Sequence, residues 1–217
     1  NIVASTPATL QVSSSQLQAN MTTAASIGLN LDSSKAVATG TFDPTDSTTY
    51  NNSTSMAVYD SLGNSHSLAT YYAKTGANTW AVYGTFDGTP LAASLGTLTF
   101  KSDGTLDTTA TTLPFNVSVA LTNGATTPFA YTLDYGKATQ FGSSFSVDTL
   151  TQDGYTAGLL SGYSIAADGT LQGQYSNGQA RTLGQIALAR FTNDNGLEPI
   201  GSNQWRESAA SGQAIMG

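Results

Sequence analysis

The single histidine of the chain, His66, is the residue best suited by type to acid–base chemistry. Asp60 and Ser65 lie close to it in the sequence, so one short segment contains the three residue types of a serine-hydrolase triad. No Gly-x-Ser-x-Gly elbow or comparable setting for a nucleophilic serine accompanies them. We therefore expect His66 to be a surface residue of a hairpin and not a catalytic base.

Paired carboxylates offer a second possible chemistry. Glycoside hydrolysis requires two acidic groups across a cleft, one with a raised pKa, and Asp134, Asp148 and Asp153 qualify by residue type alone. Most acids of this chain, however, adjoin Gly, Asn, Ser or Thr, where a carboxylate is solvated and hydrogen-bonds its own backbone. Turn formation accounts for these acids, and we predict that the protein is not an enzyme.

A metal or cofactor site has little support. The segment Asn193-Asp194-Asn195-Gly196, followed by Glu198, groups oxygen ligands around a glycine as calcium loops do. It lacks the alternation of ligands and the glutamate at the twelfth position that such a loop requires. The chain contains no cysteine, which excludes disulfides and thiolate metal sites. No cofactor or metal is expected.

An aromatic cluster in the first half of the chain could form a sugar-binding platform. Its members are Tyr71, Tyr72, Trp80, Tyr83 and Phe86. Aromatic residues on alternate strand positions more often pack in a core, with tyrosine hydroxyls reaching its rim. Core packing is the expectation, and a glycan-binding or adhesin module is the alternative.

Composition and charge exclude several classes of partner. Hydrophobic residues make up 39% of the chain and charged residues 10%, which indicates a globular protein and not a disordered one. The net charge is −7 and the basic residues are scattered, so nucleic acids and anionic membranes are not expected partners. No apolar stretch approaches the roughly 20 residues of a membrane span. The chain begins Asn1-Ile2-Val3 without Met or a leader, as expected of a fragment of a longer protein.

The elements that must position these side chains are strands. Residues 26–32 alternate so that Ile27, Leu29 and Leu31 share one face, which predicts a half-buried strand. Residues 56–59 and 67–72 flank a polar turn, as in a hairpin. Strand formers recur between Gly-containing turns at 79–86, 96–100, 115–121 and 129–135. This spacing is typical of an all-β sandwich or barrel.

The last section, from residue 143, differs in texture. Strand-forming segments at 162–165 and 171–175 are separated by Asp168-Gly169, and Asn177-Gly178 precedes the most apolar run of the chain, residues 183–191. These segments predict a three-stranded meander that ends in a buried strand.

Motifs in two sections resemble one known family. The sequences TQDGY (151–155), IAADGTLQGQYSN (165–177), LGQIALA (183–189), NGL (195–197) and NQW (203–205) resemble the C-terminal body shared by flagellar rod and hook proteins. DPTD at 43–46 and the segment 49–88 resemble the additional domain of the hook protein, which distal rod proteins lack. The combination resembles the bacterial flagellar hook protein family, with a distal rod-type protein as the alternative.

The resemblance implies a discontinuous fold with two β domains. Residues 1–39 and 143–217 would form one domain, into which residues 40–142 are inserted as a sandwich-like or barrel-like domain. The isolated strand at 26–32 agrees, because later strands must cover its edges. The heptad-like helical ends that polymerise such subunits are absent, which implies a monomeric outer-domain fragment.

The resemblance also implies a function. The intact protein would leave the cell through the flagellar secretion apparatus without a cleaved signal peptide. It would polymerise into the extracellular hook, the flexible universal joint that passes motor torque to the filament. Implied partners are other hook subunits, the hook cap, the rod and the hook–filament junction proteins.

Interaction sites are expected on loops presented by rigid strands. Three loops are candidates for contacts between subunits: the turn at 60–64, the turn at 87–90 and the loop at 193–201. The residues selected from them are Asp60, Leu62, Asn64, Asp87, Thr89, Asn193, Asn195 and Glu198.

Overall fold

The computed structural model describes residues 16–186 and 188–216 of the chain. Its regular structure consists of β-strands, apart from one short 310 helix within these residues, Asp194–Gly196. The predicted all-β class is therefore confirmed. In the same residues no helix is long and apolar enough to cross a membrane.

The chain folds as two compact units, and their boundaries differ from the predicted ones. The central unit comprises residues 18–157, and the terminal unit combines the described residues up to 17 with residues 158–216. The sequence instead placed the divisions after residues 39 and 142. The observed boundaries differ because the strands at 24–32 and 146–152 pair within a sheet that also contains strands of the middle section. The first fifteen residues of the predicted 1–39 segment lie outside the described residues.

The strands of the central unit form two five-stranded sheets. In chain order they are β1 (Ala24–Asp32), β2 (Asn52–Tyr59), β3 (Ser65–Gly76), β4 (Thr79–Phe86), β5 (Thr89–Pro90), β6 (Gly96–Thr99), β7 (Phe115–Val119), β8 (Phe129–Asp134), β9 (Thr139–Phe141) and β10 (Ser146–Gln152). One sheet has the order β10-β1-β8-β7, with β9 also paired to β1. The other has the order β2-β3-β4-β5, with β6 also paired to β4.

Strand β1 lies inside its sheet and not at an edge. It pairs antiparallel with β10 and parallel with both β8 and β9. As predicted, Ile27, Leu29 and Leu31 are buried in the core. The opposite face is covered too, because the Asn30 side chain donates to the Ser143 carbonyl and accepts from the Phe141 amide. The strand is therefore more deeply buried than its alternation predicted.

The second sheet contains the hairpin predicted at residues 56–72. Strands β2 and β3 are antiparallel, and Val58 stands opposite His66. Strands β3 and β4 are also antiparallel, and they place Tyr71 opposite Tyr83. Both long hairpins run toward turns that contain residues with positive φ, such as Gly63 and Asn78.

Both sheets contribute to one hydrophobic core. Trp80 on β4 is fully buried, and its indole N–H donates to Oε1 of Gln140 on β9. The hydroxyls of Tyr72 on β3 and Tyr135 after β8 lie 3.3 Å apart, also buried. Polar groups thus join the two sheets where aromatic side chains meet, which is consistent with the rule that buried polar atoms are hydrogen-bonded.

The terminal unit contains smaller sheets. Its strands are β11 (Leu160–Ile165), β12 (Thr170–Tyr175), β13 (Ala180–Gln185), β14 (Ala189–Arg190), β15 (Glu198–Gly201), β16 (Gln204–Arg206) and β17 (Ile215–Met216). The first three form an antiparallel sheet in the order β11-β12-β13, which confirms the predicted meander. The pairs β14-β17 and β15-β16 form two-stranded sheets.

The predicted burial of the last meander strand is wrong. Leu183 on β13 is half-buried, and Ile186 and Leu188 are 40% and 64% exposed. The covered positions belong instead to β12, where Leu171 and Tyr175 are buried. Leu183 and Leu160 both pack over Gly173. An apolar run is buried only where a second layer covers it, and the local pattern does not reveal that layer.

Candidate interaction surface at the turns of the central unit

The turn between β2 and β3 is organised by a buried carboxylate. The Asp60 side chain has no exposed surface, and its Oδ1 accepts hydrogen bonds of 2.9 Å from the backbone amides of Leu62 and Asn64. Its Oδ2 accepts a hydrogen bond of 2.9 Å from Nδ2 of Asn64. Asp60 therefore holds the turn from inside, with its side chain covered by the chain itself.

A loop distant in the sequence completes this turn. Nδ2 of Asn123, between β7 and β8, donates to Oδ2 of Asp60 at 2.7 Å. The amide of Thr126 donates to Oγ of Ser61 at 2.8 Å. Asn123 was not selected as a site residue, since the only local signal at that position is the turn-forming Asn123-Gly124 pair.

The turn between β4 and β5 has its own carboxylate. Asp87 and Gly88 both have positive φ, at 48° and 79°, the backbone geometry of a tight hairpin turn. Oδ1 of Asp87 accepts a hydrogen bond of 2.8 Å from the Ser67 amide on β3. Unlike Asp60, the Asp87 side chain is 49% exposed. Thr89, the first residue of β5, is exposed as well.

His66 joins the two turns. Its Nδ1 lies 2.7 Å from Oδ2 of Asp87, and its Nε2 lies 3.3 Å from Oδ2 of Asp60. The ring stacks on Phe86 with a centroid separation of 4.9 Å, and only 12% of the side chain is exposed. Both ring nitrogens thus face carboxylates and not a serine hydroxyl, so the arrangement is not that of a catalytic triad.

The electrostatics of this cluster follow from these contacts. Burial works against ionisation of Asp60, but donors from Asn64, Asn123 and His66 outweigh it and lower the pKa of the carboxyl. Burial likewise works against the His66 cation, but hydrogen bonds and charge from Asp87 and Asp60 raise the pKa of the imidazole. The pKa of Asp87 is lowered despite partial burial, because His66 and the Ser67 amide donate to it.

The result is a single hydrogen-bonded surface that contains two of the three predicted loops. We call it the turn cluster and define it as residues 60–64, 66, 87–90 and 123. Its exposed members include Leu62, which is 58% exposed, with Asn64 and Thr89. Gly63 has φ +84°, and a Cβ there would meet Ala19 Cβ at 2.7 Å, so the turn is also packed closely against the chain at residue 19.

The third predicted loop belongs to the terminal unit. Asn193 and Asn195 are exposed, and Nδ2 of Asn193 donates to the Ala210 carbonyl at 3.2 Å. Glu198 forms an exposed ion pair of 2.8 Å with Arg206. In the described residues no group of three or more His, Cys, Asp or Glu side chains could hold a metal ion, so this loop gives no support for calcium.

The acidic residues considered for hydrolysis do not form a catalytic pair. Asp134 and Asp153 line an open groove of about 600 Å³ beside β1 and β8. Asp153 accepts hydrogen bonds from Thr23 and Ala24, and they lower the pKa of its carboxyl although its partial burial opposes them. Asp134 accepts from the Gly136 amide, and Asp148 is exposed on β10. A general acid requires a raised pKa, which Asp153 lacks.

The aromatic cluster divides between two faces of its sheet. Tyr72, Trp80 and Phe86 are buried in the core. Tyr71 and Tyr83 are half-buried on the opposite face, where Phe42 stacks on Tyr83 with a centroid separation of 4.4 Å and an interplanar angle of 4°. One face of the Tyr83 ring is therefore already stacked within the molecule, and the Tyr71 ring makes tilted and edge contacts with Phe42 and Tyr50.

Comparison with known proteins gives consistent matches. Residues 30–155 match the family model described as the flagellar basal body protein FlaE D2 domain. The flagellar hook protein FlgE of Escherichia coli K12 is 37% identical over 215 residues, which cover 97% of this chain and 53% of that protein. The corresponding protein of Salmonella typhimurium is also 37% identical, with the same shares covered. The chain thus spans about half the length of these relatives.

One solved structure supports the fold. The crystal structure of the Helicobacter pylori flagellar hook protein FlgE2 superposes with a TM-score of 0.59 and covers 76% of this chain and 39% of its own. The sequences are 23% identical over this match, so the likeness concerns the fold alone.

Proposed function

The chain belongs to the flagellar hook protein family, and on that premise we propose that it is the outer part of a structural subunit of the bacterial flagellar hook. The observation that carries this proposal is the 37% identity to hook proteins over 97% of the chain. The chain spans about half of those proteins, so the properties of the whole subunit are part of the proposal. In this role the protein acts through contacts between subunits and not through catalysis.

The proposed mechanism is that of a flexible universal joint. A curved tube that rotates must lengthen and shorten each row of subunits during every turn, so its outer contacts must change without breaking the assembly. Small polar interfaces can exchange partners at low cost, whereas large apolar interfaces resemble a protein core and persist. Rigid β domains with few charged residues, 10% in this chain, suit such contacts.

We place the contacts of the central unit on the exposed residues of the turn cluster, Leu62, Asn64 and Thr89. Internal hydrogen bonds of Asp60, Asp87 and His66 fix the backbone beneath them, so little entropy is lost when a neighbour binds. Asn193, Asn195 and Glu198 are the corresponding candidates in the terminal unit, where they are exposed.

The partners and location follow from the same proposal. The intact protein is exported by the flagellar secretion apparatus without a cleaved signal peptide. It then polymerises with other hook subunits outside the cell, between the rod and the junction with the filament, under the hook cap. The outer fragment alone stays monomeric.

Complementation tests this function. The matching half of the E. coli hook protein would be replaced by this chain and expressed in a strain without its own hook protein. We expect curved hooks in electron micrographs and restored swimming. Straight tubes, or a folded and exported chimera that never assembles, would contradict the proposal.

The contact surface is tested in the same chimera. Leu62→Asp should impair swimming by at least several-fold, because an unpaired charge replaces the one large apolar side chain among the proposed contact residues and is costly to bury against a neighbour. The matched control is Val37→Asp, since Val37 is 50% exposed in the same unit but outside the turn cluster. Equal swimming of the two variants would remove Leu62 from the proposed contact.

A further inference from the structure

The His66 ring lies between two groups that can only accept hydrogen bonds. Apart from His66, the groups that contact the Asp60 carboxyl are N–H donors of Leu62, Asn64 and Asn123. A protonated carboxyl would need an acceptor for its own proton, and these donors offer none, so Asp60 is ionised. Asp87 likewise accepts from the Ser67 amide. A neutral imidazole has one donor nitrogen and one acceptor nitrogen, so it cannot satisfy both carboxylates. The geometry requires the doubly protonated cation.

Few charged or titratable groups face the His66 ring. From the β2–β3 turn and the β4–β5 turn, the facing charges are Asp60 and Asp87. From β4 and β8 the rings of Phe86 and Phe129 pack against it, at 4.9 and 6.2 Å between centroids. Tyr131 on β8 stays neutral, because burial and the charge of Asp87 raise the pKa of its hydroxyl.

The two carboxylates differ in what happens when a ring proton leaves. Asp60 has no exposed surface and is held by four other N–H groups, so water cannot replace the His66 donor. Asp87 is 49% exposed and can be hydrated instead. The cost of an unpaired buried charge exceeds that of an exposed one. The remaining proton therefore stays on Nε2, facing Asp60, and Nδ1 loses its hydrogen bond to Asp87.

From this asymmetry we propose that His66 is a proton-controlled clamp: its cation ties the Asp87 turn to the Asp60 turn, and loss of the Nδ1 proton releases the Asp87 turn. The clamp is closed below the folded-state pKa of His66 and opens as the pH rises through it; this pKa lies above its ordinary value. Opening would remove one contact of the 87–90 segment, which keeps its hydrogen bonds with the Ser67 backbone, and would leave the 60–64 turn intact.

The clamp itself does not depend on the proposed function, since it exists within one chain. Its consequence does rest on that function: if the turn cluster is a contact between subunits, a pH above the folded-state pKa of His66 loosens the Asp87 half of the contact. The test therefore uses the unassembled chain, so that failure of the clamp and failure of hook assembly are observed separately.

Nuclear magnetic resonance on the 15N-labelled chain gives a direct test, because His66 is the only histidine and its ring signals need no further assignment. We expect the titration midpoint to lie above about 6.5 and both ring nitrogens to be protonated at a pH well below that midpoint. As the pH rises, Nδ1 should lose its proton. The hydrogen-exchange protection of the Ser67 amide should then fall about tenfold, because its acceptor Asp87 has lost a charge-assisted hydrogen bond of about that worth.

A matched pair of variants isolates the role of Asp87. Asp87→Asn should lower the midpoint of His66 by about one pH unit or more, as expected when one opposing charge is removed. Asp148→Asn removes the same charge from an exposed position on β10 and should leave the midpoint unchanged. A wild-type midpoint at or below 6.5, loss of the Nε2 proton instead of the Nδ1 proton, or constant Ser67 protection would each overturn the proposal.

Discussion

At the scale of residues, the most consequential side chain is a carboxylate that has no contact with solvent. Asp60 is fully buried but remains ionised, because backbone amides, two asparagine side chains and His66 donate to it. A buried charge is tolerated only where its hydrogen bonds are complete. The turn cluster is therefore held together by buried hydrogen bonds to Asp60, and these bonds fix the positions of the exposed loop residues.

Replacement of this carboxylate should be costly. In Asp60→Asn, an NH2 group would face the N–H groups of Asn64, Asn123 and His66, so these hydrogen bonds could not all form. The negative charge beside His66 is lost as well. We expect the free energy of unfolding to fall by about 3–5 kcal/mol, the range for one broken partner of a buried ion pair. Urea denaturation followed by circular dichroism measures it. Asp148→Asn is the control, and a comparable loss there would show that net charge alone is responsible.

Stability should also fall in acid. The pKa of Asp60 is lower in the folded chain than the value of about 3.9 expected when it is unfolded. Its contribution is therefore complete above about pH 4 and is lost as the pH falls through the folded-state pKa. Urea denaturation at pH 7, 5 and 3 should show a steep decline between the last two. The Asp60→Asn variant should decline less over that interval, and an equal decline would contradict this assignment.

At the scale of elements, the two sheets of the central unit meet with little spare space. Strand β6 contributes Gly96, and a Cβ added there would overlap the ring of Phe115 on β7. Phe115 is buried in the common core and cannot easily move aside. The glycine is thus required by the close approach of one sheet to an aromatic ring of the other.

Substitution of Gly96 by alanine tests how closely the two sheets pack at this position. Gly96→Ala is expected to lower the free energy of unfolding by about 1–3 kcal/mol, the usual cost of overpacking a core. Gly76→Ala is the matched control, because Gly76 is at the end of β3 and a Cβ there would meet nothing within 4 Å. Thermal unfolding of both variants gives the comparison. Unchanged stability of Gly96→Ala would mean that the sheets adjust freely.

At the scale of the whole molecule, the large core belongs to one unit. Every residue of the main hydrophobic cluster lies between Met21 and Val147, inside the central unit. The buried side chains of the terminal meander are fewer, with Leu171 and Tyr175 on β12. A unit with a complete core folds alone, whereas one with a small core depends on covalent or packed neighbours.

The central unit should therefore be an autonomous domain. Residues 18–157 expressed alone are expected to show the dispersed amide spectrum of a folded β protein and a single cooperative unfolding transition. Their midpoint of thermal unfolding should lie within a few degrees of the main transition of the full chain. Residues 40–142, the inserted domain predicted from the sequence, provide the matched comparison. They lack β1 and β10 and should fail to fold; a folded 40–142 fragment would restore the predicted boundaries.

The sequence by itself determined the features that arise from neighbouring residues. Period-two alternation located β1 and the β2–β3 hairpin, Asp-Gly pairs located the turns, and ordered motifs over both sections indicated the hook family. Side-chain periodicity and positive φ are local properties, so no knowledge of the fold is needed to recognise them.

Only the tertiary structure decided which of these elements meet. It placed β1 beside β8 and β9, assigned both strands 24–32 and 146–152 to the central unit, and left most residues of β13 exposed. It also brought Asp60 and Asp87 to opposite sides of His66 and added Asn123, which is 63 residues from Asp60. Such contacts depend on the packing of distant segments, and the local pattern around either partner is the same whether or not they form.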